Sequence, residues 1–372
     1  MPITSNDDAL APYDAVLLLS FGGPEAPEEV MPFLRRVTAG RDVPEERLEE
    51  VATHYHHFGG ASPINDQNRE LVAALDAELT RRGSTVPVLW GNRNSAPFLA
   101  DTLRAARAEG HLRICVVVTS AYSSYSGCRQ YREDLAAATE ELGLAAVDLE
   151  IDKIRPYALH PGFTAVNTEH LVESVATIDA AELPTTRLLF VTHSVPDSMD
   201  DTSGPGDGDG NLYVEQHLRA GHLIAQGLAE RTGATLEQEL VFCSRSGSPR
   251  TPWLEPDVND RLEELAAEGV TTVVVAPIGF VSDHMEVVND LDREARETAE
   301  RLGLRLVRVP TAGTHPLFVE ALVDLLEERS AEARDEVVIP AQADKGDLRP
   351  SICDPGCCPN LRSALPALCG RD

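Results

Sequence analysis

The stretch VVVAPIGFVSDHMEVVNDLDREAR, residues 273–296, predicts the fold class of the whole chain. Its first half is an apolar, β-branched run, which is typical of a strand buried on both faces of a parallel sheet. Its second half places Glu286, Asp290 and Glu294 four residues apart, so they share one helix face. A buried strand that leads directly into a helix predicts a βα unit with acidic side chains at the carboxyl end of its strand.

Similar apolar runs alternate with amphipathic segments along the chain: AVLLLSFGG, VPVLWGN, LRICVVVTSAYSS, RLLFVTHSVP, QELVFCSRSG and LRLVRVP. This alternation predicts an α/β protein with two Rossmann-like, doubly wound parallel sheets. We expect an N-terminal α/β domain over 1–160, a C-terminal α/β domain over 161–330, and a linker with a cysteine-rich tail over 331–372. Open sheets of this kind bind ligands at the carboxyl ends of their strands.

The amino-acid composition restricts the classes of partner that the protein can bind. The chain has 32 Lys and Arg against 61 Asp and Glu, a formal charge of −29 at pH 7. Such a charge repels nucleic acid and anionic membranes, so we expect no nucleic-acid partner. The first residues lack a basic segment followed by an apolar one, and no run approaches the roughly 20 apolar residues that cross a bilayer. We therefore expect a cytoplasmic protein without a transmembrane segment.

His193 is the second candidate for chemistry, because it ends the apolar run RLLFVTH. A lone histidine at a strand end is more often structural than catalytic. If its strand neighbours the strand before Phe280, however, His193 and Glu286 converge in one cleft. An imidazole facing a carboxylate can accept protons and bind a divalent cation. The alternative is that Glu286, Asp290 and Glu294 form a solvated acidic helix face.

Two other segments are unusual. The polar stretch DDTSGPGDGDGN, residues 200–211, is predicted to be a solvent loop; a calcium loop is the weaker alternative, since the EF-hand spacing is missing. Four of the seven cysteines lie in the last twenty residues: Cys353, Cys357, Cys358 and Cys369. Clustered thiolates in a cytosolic protein favour a metal over disulfides, as an iron–sulfur cluster or as zinc.

Several segments, in order, resemble the ferrochelatases, a family that inserts ferrous iron into porphyrins during haem synthesis. THSVPDSM and PIGFVSDHMEVVNDLD resemble its two signature segments, and the match continues through LLLSFGGPE, HYHHFGGASPIN, VVVTSAYSSYSGCRQYRED and TPWLEPDV, over roughly residues 13–330. The resemblance implies a lyase with a type II chelatase-like fold. It places the catalytic, metal-binding residues His193 and Glu286 on opposite sides of the porphyrin, and Asp290 and Glu294 continue the acidic metal track.

The resemblance also implies contacts to porphyrin. Ser62 and Tyr131 match family positions that hydrogen-bond the substrate carboxylates. The nearest basic cluster, for which solvated helix charges are the alternative, is Arg35, Arg36 and Arg41. The aromatic candidates for the cleft, for which core packing is the alternative, are Phe21, Tyr122, Tyr125, Tyr131 and Trp253. Bacillus-type members have a tyrosine at the Phe21 position that ligates product iron, so the axial ligand of product is open here.

The tail ICDPGCCPNLRSALPALC resembles the iron–sulfur tail of some ferrochelatases, in which three tail cysteines and one internal cysteine hold a [2Fe–2S] cluster. The resemblance implies a ligand set, with Cys369 as the spare candidate, of Cys128, Cys353, Cys357 and Cys358. Zinc is the alternative metal. Cys115 and Cys243 lie in strand patterns and are expected to be small core residues.

The tail and the acidic, alanine-rich composition resemble actinobacterium-like members, which generally metallate coproporphyrin III to coprohaem. The alternatives are a protoporphyrin IX ferrochelatase, a cobalt or nickel chelatase of the same fold, and a non-catalytic haem- or iron-binding protein. The expected partners are coproporphyrin III and ferrous iron. We expect a monomer, and a transient contact with the next enzyme of the haem pathway is compatible with the resemblance.

Overall fold

The computed structural model describes residues 8–40, 43–143, 149–206, 208–245, 250–344 and 348–368. One parallel sheet contains β1 (Ala15–Ser20), β2 (Val88–Asn92), β3 (Arg113–Val118) and β4 (Glu150–Lys153), in the order β2-β1-β3-β4. The other contains β5 (Thr186–His193), β6 (Glu237–Cys243), β7 (Thr272–Ala276) and β8 (Arg305–Arg308), in the order β6-β5-β7-β8. The predicted α/β class with two parallel sheets is confirmed.

Helices follow most strands. Those of the first half are α1 (Val30–Val37), α2 (Glu45–His57), α3 (Ile64–Arg81), α4 (Leu99–Glu109) and α5 (Gln130–Glu141), the last preceded by a π-helical turn, Tyr125–Arg129. Then come α6 (Pro161–Val175), α7 (Asp197–Asp201), α8 (Leu212–Thr232) and α9 (Val258–Ala267). A continuous helix is built from α10 (Met285–Val287), a π-helical segment (Val288–Ala295) and α11 (Arg296–Leu302), and α12 (Pro316–Ala333) follows.

The central strands explain why the sheets form. Every residue of β1 and β7 is buried, as expected of strands covered by helices on both faces. Leu18 of β1 and Leu188 of β5 belong to one apolar cluster, which also contains side chains of α6 and α12. Because α12 packs against both α3 and α6, the last helix holds the second half of the chain against the first.

Two local features differ from the sequence-based expectation. Strand β4 was not predicted, because its sequence EIDK contains only one apolar residue and so carries no apolar run. The prediction that 200–211 is a solvent loop is wrong for its first part, since Asp200 is 4% and Ser203 1% exposed. The physical reason is a contact far apart in the chain: the backbone of Cys358 hydrogen-bonds Gly204.

Within the described ranges, no helix combines the length and apolarity needed to cross a bilayer.

Candidate active site and cysteine cluster

The two predicted catalytic residues meet at the carboxyl edge of the second sheet. Strand β5 ends at His193 and pairs in parallel with β7, so the chain that leaves β7 passes close to His193. Glu286 lies in the first turn of the helix that follows, and its Oε2 is 3.3 Å from His193 Nε2. The sequence-based condition for their convergence, adjacency of the two strands, is therefore met.

A glycine allows this close approach. A Cβ built on Gly279, in the turn after β7, would lie 2.1 Å from Oγ1 of Thr192. The Gly279 amide also donates to the carbonyl of Val191 at 3.1 Å. Any side chain at position 279 would push the turn away from β5, and with it the segment that carries Glu286.

The His193–Glu286 pair is partly open to solvent, with side chains 31% and 48% exposed. His193 Nδ1 hydrogen-bonds the carbonyl oxygen of Ser194, which requires a proton on Nδ1 and leaves Nε2 toward Glu286. Desolvation would lower the pKa of His193, but the charge and hydrogen bond of Glu286 raise it. Desolvation would likewise raise the pKa of Glu286, but His193 lowers it to about 2. The pair therefore shares a proton that a cation could replace.

The acidic track continues along the π-helical segment. Asn289 Nδ2 bridges its neighbours, donating to Asp290 Oδ1 at 2.9 Å and to Glu294 Oε1 at 3.1 Å. Ser244 donates to the other oxygen of Asp290. Desolvation raises the pKa of Asp290 to about 6 despite these donors. Asp290 can therefore take up and release a proton near neutral pH, which a fully solvated carboxylate would not do.

The structure adds residues near Glu286 that sequence reasoning did not assign. His284 Nδ1 is 3.9 Å from Glu286 Oε2, and burial lowers the pKa of His284. Burial, and then the charges of Glu286 and Asp290, raise the pKa of Tyr55 in α2. Gln67 of α3 accepts a hydrogen bond from the Asp283 amide at 2.8 Å and so links α3 to the segment that precedes Glu286. Tyr55 lies inside a family-like segment, which was its only sequence signal, whereas His284 also stands out in the sequence as a histidine among the carboxylates of residues 283–294.

The aromatic residues predicted to contact porphyrin differ in their exposure to solvent. Phe21 is partly exposed and packs edge-on against Phe33, whereas Tyr122 is 2% and Tyr131 4% exposed. Tyr122 stacks on His217, with ring centroids 3.5 Å apart. Core packing therefore accounts for the position of Tyr122, and the porphyrin roles of all these residues stay predictions.

The polar and remaining aromatic candidates lie on several elements. Ser62 is 7% exposed just before α3. Arg35 pairs with Glu45 at the surface, and Arg36 donates to the carbonyl of Asn94 at 2.7 Å. Trp253 is partly exposed and pairs through its backbone with Pro196, beside His193. Arg41, the third predicted arginine, lies outside the described residues.

Four cysteines form a separate buried cluster. Cys128, at the end of the first π-helical turn, joins Cys353, Cys357 and Cys358, and their exposures are 5%, 4%, 2% and 1%. Cys357 Sγ is 3.9 Å from Cys358 Sγ, while Cys128 and Cys357 each hydrogen-bond Cys353. The left-handed backbone of Cys358, φ +49°, turns the adjacent pair toward one centre. Cys369 lies outside the described residues.

Hydrogen-bond donors and two cationic side chains lie around the cluster. The Gly204 amide donates to Cys358 Sγ at 3.2 Å and Arg349 Nη2 to Cys357 Sγ at 3.8 Å. The hydrogen bond with Cys353 and burial raise the pKa of the Cys128 thiol well above its usual value, and the charges of Lys153 and Arg132 only partly oppose this rise. In the part of the chain that the structure describes, no three His, Cys, Asp or Glu side chains form a preformed single-ion site. A two-iron cluster divides four thiolates into pairs, so it does not require such a site.

An imidazole–carboxylate pair and a row of carboxylates at the carboxyl edge of a parallel sheet define an α/β protein whose site can bind cations and exchange protons. Residues 13–330 match the ferrochelatase family, and this chain belongs to that family. The resemblance seen in the sequence is thus confirmed.

Curated relatives match almost the whole chain. The coproporphyrin III ferrochelatase of Streptomyces coelicolor is 51% identical over 365 residues, which cover 97% of each chain. That of Mycolicibacterium smegmatis is 44% identical over 352 residues, covering 93% of this chain and 99% of the relative. The ferrochelatase of Rhodopirellula baltica is 43% identical over 365 residues, covering 97% and 98%.

Proposed function

We propose that this protein inserts ferrous iron into coproporphyrin III to give Fe-coproporphyrin (coprohaem) in haem biosynthesis, as a lyase. The observation that carries the proposal is the His193–Glu286 pair, 3.3 Å apart at the sheet edge of a ferrochelatase-family chain. The choice of coproporphyrin III is supported by relatives that bear this name over nearly their full length.

The reaction exchanges Fe²⁺ for the two pyrrole N–H protons of the porphyrin, so the site must bind a dication and remove two protons. In the proposed mechanism, Nε2 of His193 accepts protons from the pyrrole side when it is not protonated. Glu286 binds iron or shares the proton transfer. Asp290, whose pKa is about 6, passes protons from Glu286 toward Glu294, or iron in the opposite direction toward Glu286.

We also propose a division of labour along the chain. Residues 1–160 bind the porphyrin, residues 161–330 carry His193 and Glu286, and residues 331–372 form the linker and tail. The cytoplasmic location, the monomeric state and the contact with the next haem-pathway enzyme stay predictions.

The substrate test compares porphyrins. We expect kcat/KM to be higher for coproporphyrin III, which has four propionates, than for protoporphyrin IX, which has two, because each propionate can engage polar partners such as Ser62, Tyr131 and Arg36. The measurement is an anaerobic assay with ferrous iron and each porphyrin. A clear preference for protoporphyrin IX would overturn the substrate. Faster turnover with cobalt or nickel would favour another chelatase, and porphyrin binding without turnover a non-catalytic binder.

For the tail, we propose that Cys128, Cys353, Cys357 and Cys358 hold a [2Fe–2S] cluster. The support is their shared burial and the N–H donors that face two of the sulfurs. When bound, such a cluster supplies a one-electron centre and four iron–thiolate bonds. The cysteines themselves would then tie the tail to the first π-helical turn, so that cluster affinity becomes folding energy for the tail.

Serine substitution tests the ligand set. We expect anaerobically purified protein to be reddish-brown, with two iron and two sulfide per chain, and each of Cys128→Ser, Cys353→Ser, Cys357→Ser and Cys358→Ser to lose the colour. Cys128→Ser should also expose the tail to proteolysis. Cys115→Ser is the matched control, and it and Cys369→Ser should keep the visible spectrum. Colour retained without Cys128 refutes the internal ligand, and colour lost without Cys369 but kept without Cys357 or Cys358 changes the set.

A further inference from the structure

Tyr213, in the first turn of α8, holds the strand end that carries His193. Its hydroxyl donates to the carbonyl oxygen of His193 at 2.8 Å and lies 2.7 Å from Oγ1 of Thr192. A phenol has one proton to donate, so Thr192 is the donor of the second bond. Tyr213 thereby holds the backbone carbonyl of His193 and the side chain of Thr192 at the end of β5, and the His193 side chain departs from that backbone.

Tyr213 is in turn held by the partly buried loop of residues 202–206, the Ser203 loop. Its backbone amide donates to Ser203 Oγ at 2.9 Å, and Ser203 Oγ donates to the carbonyl of Asp200 at 2.8 Å. Ser203 is 1% and Asp200 4% exposed. Buried polar bonds of this kind are costly to break, because water cannot replace the lost partner. The start of α8 is therefore fixed by the position of the Ser203 loop.

The cysteine-bearing tail forms hydrogen bonds with the same loop. Gly204 donates to Cys358 Sγ at 3.2 Å and accepts from the Cys358 amide at 2.8 Å. A Cβ built on Gly206 would lie 2.9 Å from the carbonyl oxygen of Pro355, so the loop and the tail are in direct contact there. A continuous series of hydrogen bonds and short backbone links thus runs from Cys358 to His193.

The tail is anchored from the other side of the molecule as well. Asn360 Nδ2 donates to the hydroxyl of Tyr125 at 2.9 Å and to Glu133 Oε2 at 3.0 Å. Arg129 donates to the carbonyl of Leu365 at 3.3 Å. The turn around Cys358 therefore contacts both the first half of the chain and the Ser203 loop. A displacement of the tail would shift the Ser203 loop with it.

We propose that Tyr213 is a positioning residue for His193, and that the tail holds Tyr213 in place through Cys358, Gly204 and Ser203. The proposal rests on the proposed role of His193. It assigns the tail a mechanical task at the reaction site, which does not depend on electron transfer by a cluster.

Tyr213→Phe tests the first step, because it removes the hydroxyl and keeps the ring packing. We expect kcat for iron insertion by the anaerobic full-length protein to fall by about ten- to a hundredfold, since small misplacements of a reacting group are costly, with KM for porphyrin unchanged. Tyr157→Phe is the matched control, because its buried hydroxyl donates to the carbonyl at the end of β3, Val118, at 2.8 Å. It should lower the melting temperature similarly and leave kcat intact. Equal kcat losses in both variants would mean that Tyr213 stabilises the fold but does not position His193.

A second readout does not depend on turnover. Hydrogen exchange of the peptide covering residues 190–196, measured without porphyrin, should be faster in Tyr213→Phe and unchanged in Tyr157→Phe. Unchanged exchange in both variants would refute the positioning of His193. If His193→Ala itself keeps full turnover, the proposed function of His193 is lost, but the exchange result still decides whether Tyr213 holds the strand end.

The tail is tested by Gly206→Ala, which should push the loop from Pro355. We expect a smaller kcat loss than for Tyr213→Phe, and no further loss when the two changes are combined, because coupled residues are not additive. Gly208→Ala is the control, since the three atoms nearest to its Cβ would all belong to Pro205 of its own loop, the nearest at 3.3 Å. If the kcat losses of Gly206→Ala and Tyr213→Phe add up in the double variant, the tail does not act through Tyr213. The same conclusion follows if Gly206→Ala and Gly208→Ala have equal kcat.

Discussion

Replacement of His193 by alanine lowers kcat for iron insertion by about 10²- to 10⁴-fold, the range for loss of a positioned proton acceptor. Methyl cannot take a pyrrole proton, and it leaves Glu286 Oε2 without the partner that lies 3.3 Å away. Folding and porphyrin affinity should change little, because the side chain is 31% exposed at the cleft and not part of the core.

The measurement for His193→Ala combines anaerobic turnover with porphyrin binding by fluorescence quenching. His222→Ala is the matched control, because His222 is exposed on α8, and it should behave as wild type. Turnover near the wild-type rate in His193→Ala would contradict the assignment of His193. Loss of porphyrin binding together with turnover would place His193 in substrate recognition instead.

Glu286→Gln is expected to have the next largest effect, a loss of about 10²-fold or more in kcat, with porphyrin affinity little changed. The amide keeps the shape and removes the charge that a dication requires. Because that charge raises the pKa of His193 against desolvation, its removal lowers this pKa. The base form of His193 is then present at lower pH, so the acidic limb of the activity profile moves to lower pH.

The test for Glu286→Gln is the rate against pH and against iron at fixed porphyrin. Asp290→Asn should be milder, because Asp290 lies farther along the track. Glu297→Gln, at an exposed position of α11, is the control and should match wild type. Full activity of Glu286→Gln at limiting iron would mean that the acidic residues are only a solvated helix face.

Local patterns predicted most of the framework. Seven of the strands follow from apolar runs, and the central ones are the most apolar because helices cover both of their faces. The strand Glu150–Lys153 was not predicted, because its sequence EIDK contains a single apolar residue, whereas the other edge strands contain two or more. The polar composition of the Ser203 loop predicts a solvent-exposed segment. Ser203 is nevertheless buried, because residues 353–358 pack on the loop.

By itself, the sequence determined the α/β class, the ferrochelatase resemblance and the candidates His193, Glu286 and the tail cysteines, because side-chain periodicity and short motifs are local properties. Only the tertiary structure decided which candidates meet. Parallel pairing of β5 with β7 brings Glu286 to His193, and folding of the tail brings Cys358 to Cys128. Tyr213 could not be assigned from sequence at all, because its bond to the His193 carbonyl leaves no trace in composition or spacing. Strand order and long-range packing are set by the whole core, so they determine contacts that no segment encodes alone.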